Sequence, residues 1–195
     1  VIVNIDGNKE WPSRSIDLTL LTPIDTHLYL GVRSTKRDIL LGFPGAEGSG
    51  RRGDIVHWAK LQKILTHYHY SGSVDGSVGR PYQEYVDFMY RCRYILNNSM
   101  TAGGRSHVKG RIVEGGLAKA CILEDANPIT KEWFTPGVHY LEYNKPEDIL
   151  DILKIDADSA SKIAQNLYDE IMAKHTPFHF WSKVMRCVDL NVECE

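Results

Sequence analysis

The 195 residues carry 23 Lys and Arg against 25 Asp and Glu, a formal net charge of −2, and 43% of them are hydrophobic. That apolar share supports a packed core and excludes global disorder, and the near-neutral charge excludes the broad basic field that draws proteins to nucleic acid. The length fits one domain of ordinary size, or one domain plus a piece of another.

Val1 to Ile5 is apolar and β-branched and ends at Asp6-Gly7, a turn signal. Asn8 to Arg14 is polar and holds Pro12; Leu18 to Leu21 is a second short apolar run, stopped by Pro23; His27 to Thr35 reads as a connector. Nothing in this segment completes a domain alone. The chain opens on Val1, not Met, and reads as a fragment, with a leader ahead of it left open.

From Asp38 the pattern becomes regular. Ile39 to Phe43 is a buried-strand run, followed by the glycine-rich loop Pro44 to Gly50 and by Ile55, Trp58, Ala59 and Leu61 at helical spacing. Ile64 to Tyr70 is a second strand, Ser71 to Arg80 a loop, Tyr82 to Arg91 a helix and Tyr94 to Asn97 a third strand. Asn98 to Ser106 is a loop holding Gly103-Gly104, Val108 to Ala120 a helix and Cys121 to Leu123 a fourth strand. Pro128 to Phe134 is a short helix and Tyr140 to Tyr143 a fifth strand. Pro146 to Leu153, Ala157 to Lys174 and Phe178 to Val188 are the last helices. Strands recur roughly every 25 to 30 residues with helices between them, as βαβ units require. The fold class is therefore α/β, with a doubly wound, mainly parallel sheet of five strands from about residue 36 onward. Such sheets bind ligands at the carboxyl ends of their strands, where these glycine-rich loops fall.

No apolar run approaches the roughly 20 residues that span a bilayer, so no integral membrane segment is expected. The cysteines at 92, 121, 187 and 194 form no CxxC pair. They read as reduced thiols of a cytoplasmic protein, with Cys92 and Cys121 acting as small core hydrophobes.

Two loops carry candidate chemistry. Gly103-Gly104-Arg105-Ser106-His107-Val108-Lys109-Gly110-Arg111 opens a helix on which Glu114 follows. A helix start offers free N–H groups and a positive dipole end to phosphate, Arg105, Lys109 and Arg111 add charge, and a carboxylate further along can take a ribose diol. The plain alternative is a solvated basic helix face, with Glu114 paired to a Lys or Arg. The second loop, Gly45 to Gly50, leads into Arg51-Arg52. It is neither a P-loop nor a GxGxxG fingerprint, and a flexible loop with a solvated arginine pair competes with a phosphate site. His67 and His69 share a strand face but lack further converging ligands for zinc. Asp156-Ala157-Asp158 has the spacing of a metal motif, yet it precedes an amphipathic helix, where Asp is an ordinary N-cap. No metal is expected.

Residues 37 to 183 taken in order resemble the C-terminal domain of GT-B glycosyltransferases of the CgeB-like and group 1 type. The resemblance rests on Phe43-Pro44-Gly45-Ala46, Arg52, Tyr82-Gln83-Glu84-Tyr85 and Tyr94 to Ser99. It continues through Lys109-Gly110-Arg111-Ile112-Val113-Glu114-Gly115, Ala120 to Glu124 and Trp133-Phe134-Thr135-Pro136-Gly137. It implies a Rossmann-like domain that binds a nucleoside diphosphate sugar as donor for transfer to an unknown acceptor, with no cofactor required. Glu114 would hold the ribose. Arg51 or Arg52 and Lys109 would face the diphosphate, and Arg111, Asn98 and Ser99 complete the candidate substrate-binding set. Related enzymes often carry a Glu eight residues before the ribose-binding one; this chain has Ser106 there. On this reading residues 1–35 are the end of an N-terminal domain with an interdomain connector. Residues 36–177 are the nucleotide-sugar-binding domain, and residues 178–195 are a crossing helix and tail. A non-catalytic module for a nucleotide or phosphate ligand is the competing reading. A receiver-like or flavodoxin-like regulator is a third, but the acidic cluster expected at its first strand ends is not seen.

Overall fold

The structure is a computed structural model and describes residues 2–5, 7–8, 18–31, 36–45, 50–69, 81–99 and 105–189. Five strands make the central sheet: β3 (Ile39–Pro44), β4 (His67–His69), β5 (Cys92–Asn97), β6 (Cys121–Asp125) and β7 (Leu141–Tyr143). Their spatial order is β4-β3-β5-β6-β7, and every neighbouring pair is parallel. The two short strands before them, β1 (Val3–Asn4) and β2 (Leu18–Thr19), pair with each other in a separate parallel ribbon.

A parallel sheet covered on both faces needs strands that are apolar on both sides, which is why these runs read as continuous rather than alternating. One face packs Ile39, Ile95 and Ile122 against α2 (Tyr82–Arg91) and α3 (Gly110–Leu117). The other packs Leu41, Phe43, Tyr94, Leu96 and Leu123 against α1 (Arg51–Leu61) and α5 (Asp148–Ile152). The short α4 (Pro128–Trp133) follows β6 and is capped by Asn127, whose side chain accepts from the Ile129 N–H. The long α6 (Ala157–Lys174) enters the second cluster through Ala160 and Ala164 and the first through Leu167 and Ile171. Asp156 caps it, accepting from the Ser159 N–H at 2.8 Å, the role expected for that aspartate. The doubly wound α/β expectation holds, with all five strands in place.

Boundaries moved for physical reasons. α2 runs into β5 with no loop, because Cys92 turns extended while its N–H still bonds the Met89 carbonyl. The expected helix from Val108 starts instead at Gly110. Val108 is buried in the core, and Lys109 before the helix is extended at φ −78°, ψ 142°. α1 begins at Arg51, which puts both arginines in its first turn; Leu61, expected on its apolar face, is exposed.

The leading segment is packed onto this unit. Leu21 and Tyr29 belong to the first core cluster, and the Trp133 indole N–H donates to the Gly7 carbonyl at 2.9 Å. Overlapping the start of the connector expected at His27 to Thr35, Thr26–Tyr29 is a short 3-10 turn capped by Asp25. The last helix, α7 (Pro177–Asp189), leaves Phe178, Trp181, Met185 and Val188 exposed along one stripe. Among the described residues no helix is long and apolar enough to cross a membrane. Cys92 and Cys121 are free and buried as expected, whereas Cys187 is disulfide-bonded, against the expectation of reduced thiols throughout. Asp6, Pro12, residues 46–49, 70–80 and 100–104, and Cys194 lie outside the described residues.

Candidate functional site

The carboxyl ends of β3, β5 and β6 meet the first turns of α1 and α3. Neither helix start has a side-chain cap: Gly50 precedes α1 at φ 64°, ψ −153°, a glycine conformation, and Lys109 precedes α3. Both therefore turn their first-turn N–H groups and a positive dipole end to the strand ends.

Arg111, in the first turn of α3, lies across the end of β3. Its Nη1 donates to Asn97 Oδ1 at 2.9 Å, and its guanidinium carbon stands 5.1 Å from the centre of the Phe43 ring. Its tip occupies the space beside Gly45. Arg52 reaches the same region from α1. Its pKa is lowered by burial first and then by the charge of Arg111, with Asp125 opposing. Two guanidinium groups from different elements are thus held close enough to repel. Arg51 donates through Nη2 to the Asn144 carbonyl at 2.9 Å and holds Nε 3.9 Å from Asp125 Oδ2.

A buried polar layer lies beneath. Asn98 Nδ2 and the Ser99 N–H both donate to Asp125, each at 3.0 Å. Asn97 Nδ2 donates to Glu124 Oε2, and the Tyr143 hydroxyl donates to the Asn97 carbonyl at 2.7 Å. Glu124 is wholly buried, and burial above all, with Asp125 beside it, drives its carboxyl well above the usual carboxylate range. Burial also raises Asp125, against the pull of the Ser99 N–H and Arg51.

One turn along α3, Glu114 accepts two phenols of α2: Tyr82 on Oε1 at 2.6 Å and Tyr85 on Oε2 at 2.8 Å. The plain alternative had paired it with a Lys or Arg.

Of the residues singled out in the sequence, Arg51, Arg52 and Arg111 come together, Lys109 stands before the same helix and Glu114 lies one turn on. Asn98 and Ser99 are buried and turned to Asp125. Sequence reasoning missed Phe43, Tyr82, Tyr85, Asn97, Glu124 and Asp125 as parts of the site. A signal existed for the last three: Asn97 and Glu124-Asp125 are polar endings of apolar strands, where ligands of such sheets gather. Among the described residues no three His, Cys, Asp or Glu side chains are placed to hold a metal.

Residues 50–186 match the family model described as glycosyl transferase-like. Among solved structures the chain is similar to HepE of Anabaena in complex with UDP, at 13% identity and a TM-score of 0.69, covering 87% of this chain and 56% of that one. It is similar to TarM of S. aureus at 9% identity and a TM-score of 0.65, covering 96% of this chain and 43% of that one. The C-terminal domain of the group 1 family protein LpcC from Francisella tularensis matches at 13% identity and a TM-score of 0.52, covering 79% of this chain and 99% of that domain. These likenesses show the fold, and the chain spans about half the length of HepE and TarM. No curated protein sequence matches it.

Proposed function

This chain belongs to the glycosyl transferase-like family, and on that premise we propose that it is the donor-binding half of a glycosyltransferase, taking a nucleoside diphosphate sugar. The carrying observation is the placement of basic groups at three strand ends: Arg111 on Phe43 and Asn97, and Arg51 beside Asp125 with Arg52 next to it in the first turn of α1. Like charges held together are stabilised by an anion between them, and a diphosphate supplies one. When the bond from sugar to phosphate breaks, the leaving diphosphate gains negative charge. Arg51, Arg52, Arg111, Lys109 and the α3 N-terminus are fixed groups that stabilise this charge as it develops. Asn98 and Ser99 serve the same site by bracing Asp125 beside Arg51. Glu114, one turn further along α3, takes the ribose hydroxyls.

HepE has been solved with UDP and with UDP-glucose, which supports a uridine diphosphate sugar as the first donor to try. On this reading residues 36–177 hold the donor and residues 1–35 lead in from the acceptor half. On the same reading the stripe that α7 leaves exposed is the surface that meets that half. Ser106, at the position of the often-present second glutamate, favours a second reading: a nucleotide-binding module without transfer.

Titration calorimetry with UDP and UDP-glucose tests the site. Binding by the wild type and its loss in Arg111→Ala are expected; equal binding by both proteins rejects the site. Sugar release from UDP-glucose by a full-length version separates the enzyme from the non-catalytic module.

A further inference from the structure

Pro81 is the N-cap of α2, which starts at Tyr82, and Tyr82 and Tyr85 stand three residues apart on it, about one turn. Both hydroxyls reach the same carboxylate on α3, but in different settings. Tyr85 is 6% exposed and its ring is part of the core, whereas Tyr82 is 41% exposed. The bond to Oε2 is partly buried, and the bond to Oε1 lies in solvent. Tyr82 also has a second partner, the Tyr29 hydroxyl at 3.1 Å. Tyr29 is itself fixed: it is buried, and its carbonyl accepts the Tyr90 hydroxyl.

We propose that Tyr85 is a positioning residue that fixes the Glu114 carboxylate, and that Tyr82 is a displaceable cap on its outer oxygen, yielding Oε1 to a ribose hydroxyl. This rests on the reading that Glu114 takes the ribose. A carboxylate only accepts, and a vicinal diol needs one acceptor position on each oxygen. The buried phenol of Tyr85 holds the carboxylate plane, so ordering entropy is spent at folding rather than at binding. At Oε1 the incoming hydroxyl replaces a phenol of similar strength, and Tyr82 keeps a hydrogen bond by turning to Tyr29. A 2′-deoxy ligand offers no such replacement and leaves the cap in place. Tyr82 thereby lowers affinity for the ribonucleotide, while Tyr85 creates the preference for it.

The test is calorimetry with UDP, GDP and their 2′-deoxy analogues on wild type, Tyr82→Phe and Tyr85→Phe. Both variants keep the ring and lose only the hydroxyl. Tyr82→Phe should bind the ribonucleotide about 2- to 5-fold tighter with the deoxy affinity unchanged. Tyr85→Phe should bind the ribonucleotide about 5- to 10-fold more weakly and the deoxy ligand by a smaller factor, because the Tyr85 hydroxyl also neighbours Arg111. A wild type that binds neither nucleotide, or that ignores the 2′-hydroxyl, overturns the ribose reading of Glu114 and this inference with it. A wild type that prefers the ribonucleotide while Tyr82→Phe binds it no tighter removes the cap alone. Equal weakening of both ligands in Tyr85→Phe, or no change in either, removes the positioning role alone.

Discussion

The guanidinium of Arg111 fills the space on Gly45 where a side chain would stand; a Cβ built there collides with Nη2. Gly45 also has φ 153°, which L side chains rarely adopt. Gly45→Ala should push Arg111 off Asn97 and away from Arg52. The displaced group is the far end of a flexible side chain, but the alanine is strained at this φ, so the fold should survive with a melting temperature lowered by roughly 2–8 °C. UDP affinity should fall by about 1–2 kcal/mol, the worth of one charge-assisted contact. Affinity equal to wild type in a folded Gly45→Ala protein would show that the placement of Arg111 does not matter to binding.

Charge alone does not define the role of Arg111. Its planar group lies over Phe43 while Nη1 bonds Asn97. A lysine keeps the charge but not the stacking or the fork. Arg111→Lys should weaken UDP binding by about 1 kcal/mol, between wild type and Arg111→Ala. Calorimetry on the three proteins gives the order, and a lysine variant as tight as wild type refutes it.

The sheet was readable in the sequence because each strand is buried on both faces, so Ile39 to Phe43 and Cys121 to Leu123 stand out as unbroken apolar runs. Arg51-Arg52 and the Lys109 to Glu114 stretch were readable because helix starts after strand ends mark ligand sites in such folds. The partners of Glu114 were not. Tyr82 and Tyr85 look like one apolar helix face, and only the packing of α2 beside α3 turns their hydroxyls onto a carboxylate 29 to 32 residues away. The start of α3 was misplaced for a similar reason. Burial of Val108 against Gly7 and the first core cluster is a long-range packing fact with no local signal.

Gly116 lies where α3 meets α6. A Cβ there would stand 2.4 Å from Ile171 Cδ1 and 2.8 Å from Leu167 Cγ, both side chains being fully buried. Gly→Ala inside a helix ordinarily stabilises by roughly 1 kcal/mol. Here overpacking should win, and Gly116→Ala should destabilise by about 1–3 kcal/mol in urea unfolding. A more stable variant would mean that α6 yields freely.

Arg37 ties the amino-terminal edge of the sheet together. Nη1 donates to the carbonyls of Tyr90 and Cys92, and Nη2 to those of Ala118 and Lys119. The α2 and α3 ends supply negative dipole ends there. Arg37→Met keeps much of the stem and removes every donor. A loss of about 2–4 kcal/mol is expected in denaturant unfolding, several carbonyls being left without a charged donor. A change under about 0.5 kcal/mol would mean that water replaces the guanidinium at no net cost.

Glu124 sets a pH dependence whose sign follows from its burial. Its folded carboxyl is held above the ordinary range by desolvation and by Asp125, so the folded state binds this proton more tightly than the unfolded chain does. The stabilisation is fully present below the unfolded pKa of about 4.3 and is lost as pH rises through the folded value. Its charged neighbour is Asp125 on the same strand, which Arg51 and Arg52 of α1 face in turn. Tyr140 and Tyr143 face it from the β7 side. Arg111 is linked to it through the two ends of the Asn97 amide. Glu124→Gln keeps an oxygen for Asn97 and puts an amide where Oε1 is buried without a partner. Urea unfolding between about pH 5 and pH 9 should show the wild type losing on the order of 2–4 kcal/mol relative to this variant. The comparison cancels the groups that do not sense Glu124; Asp125, whose own proton affinity depends on it, is part of what is read. Parallel stability curves would mean that Glu124 is ionised across the whole range, with its charge met by the arginines above it.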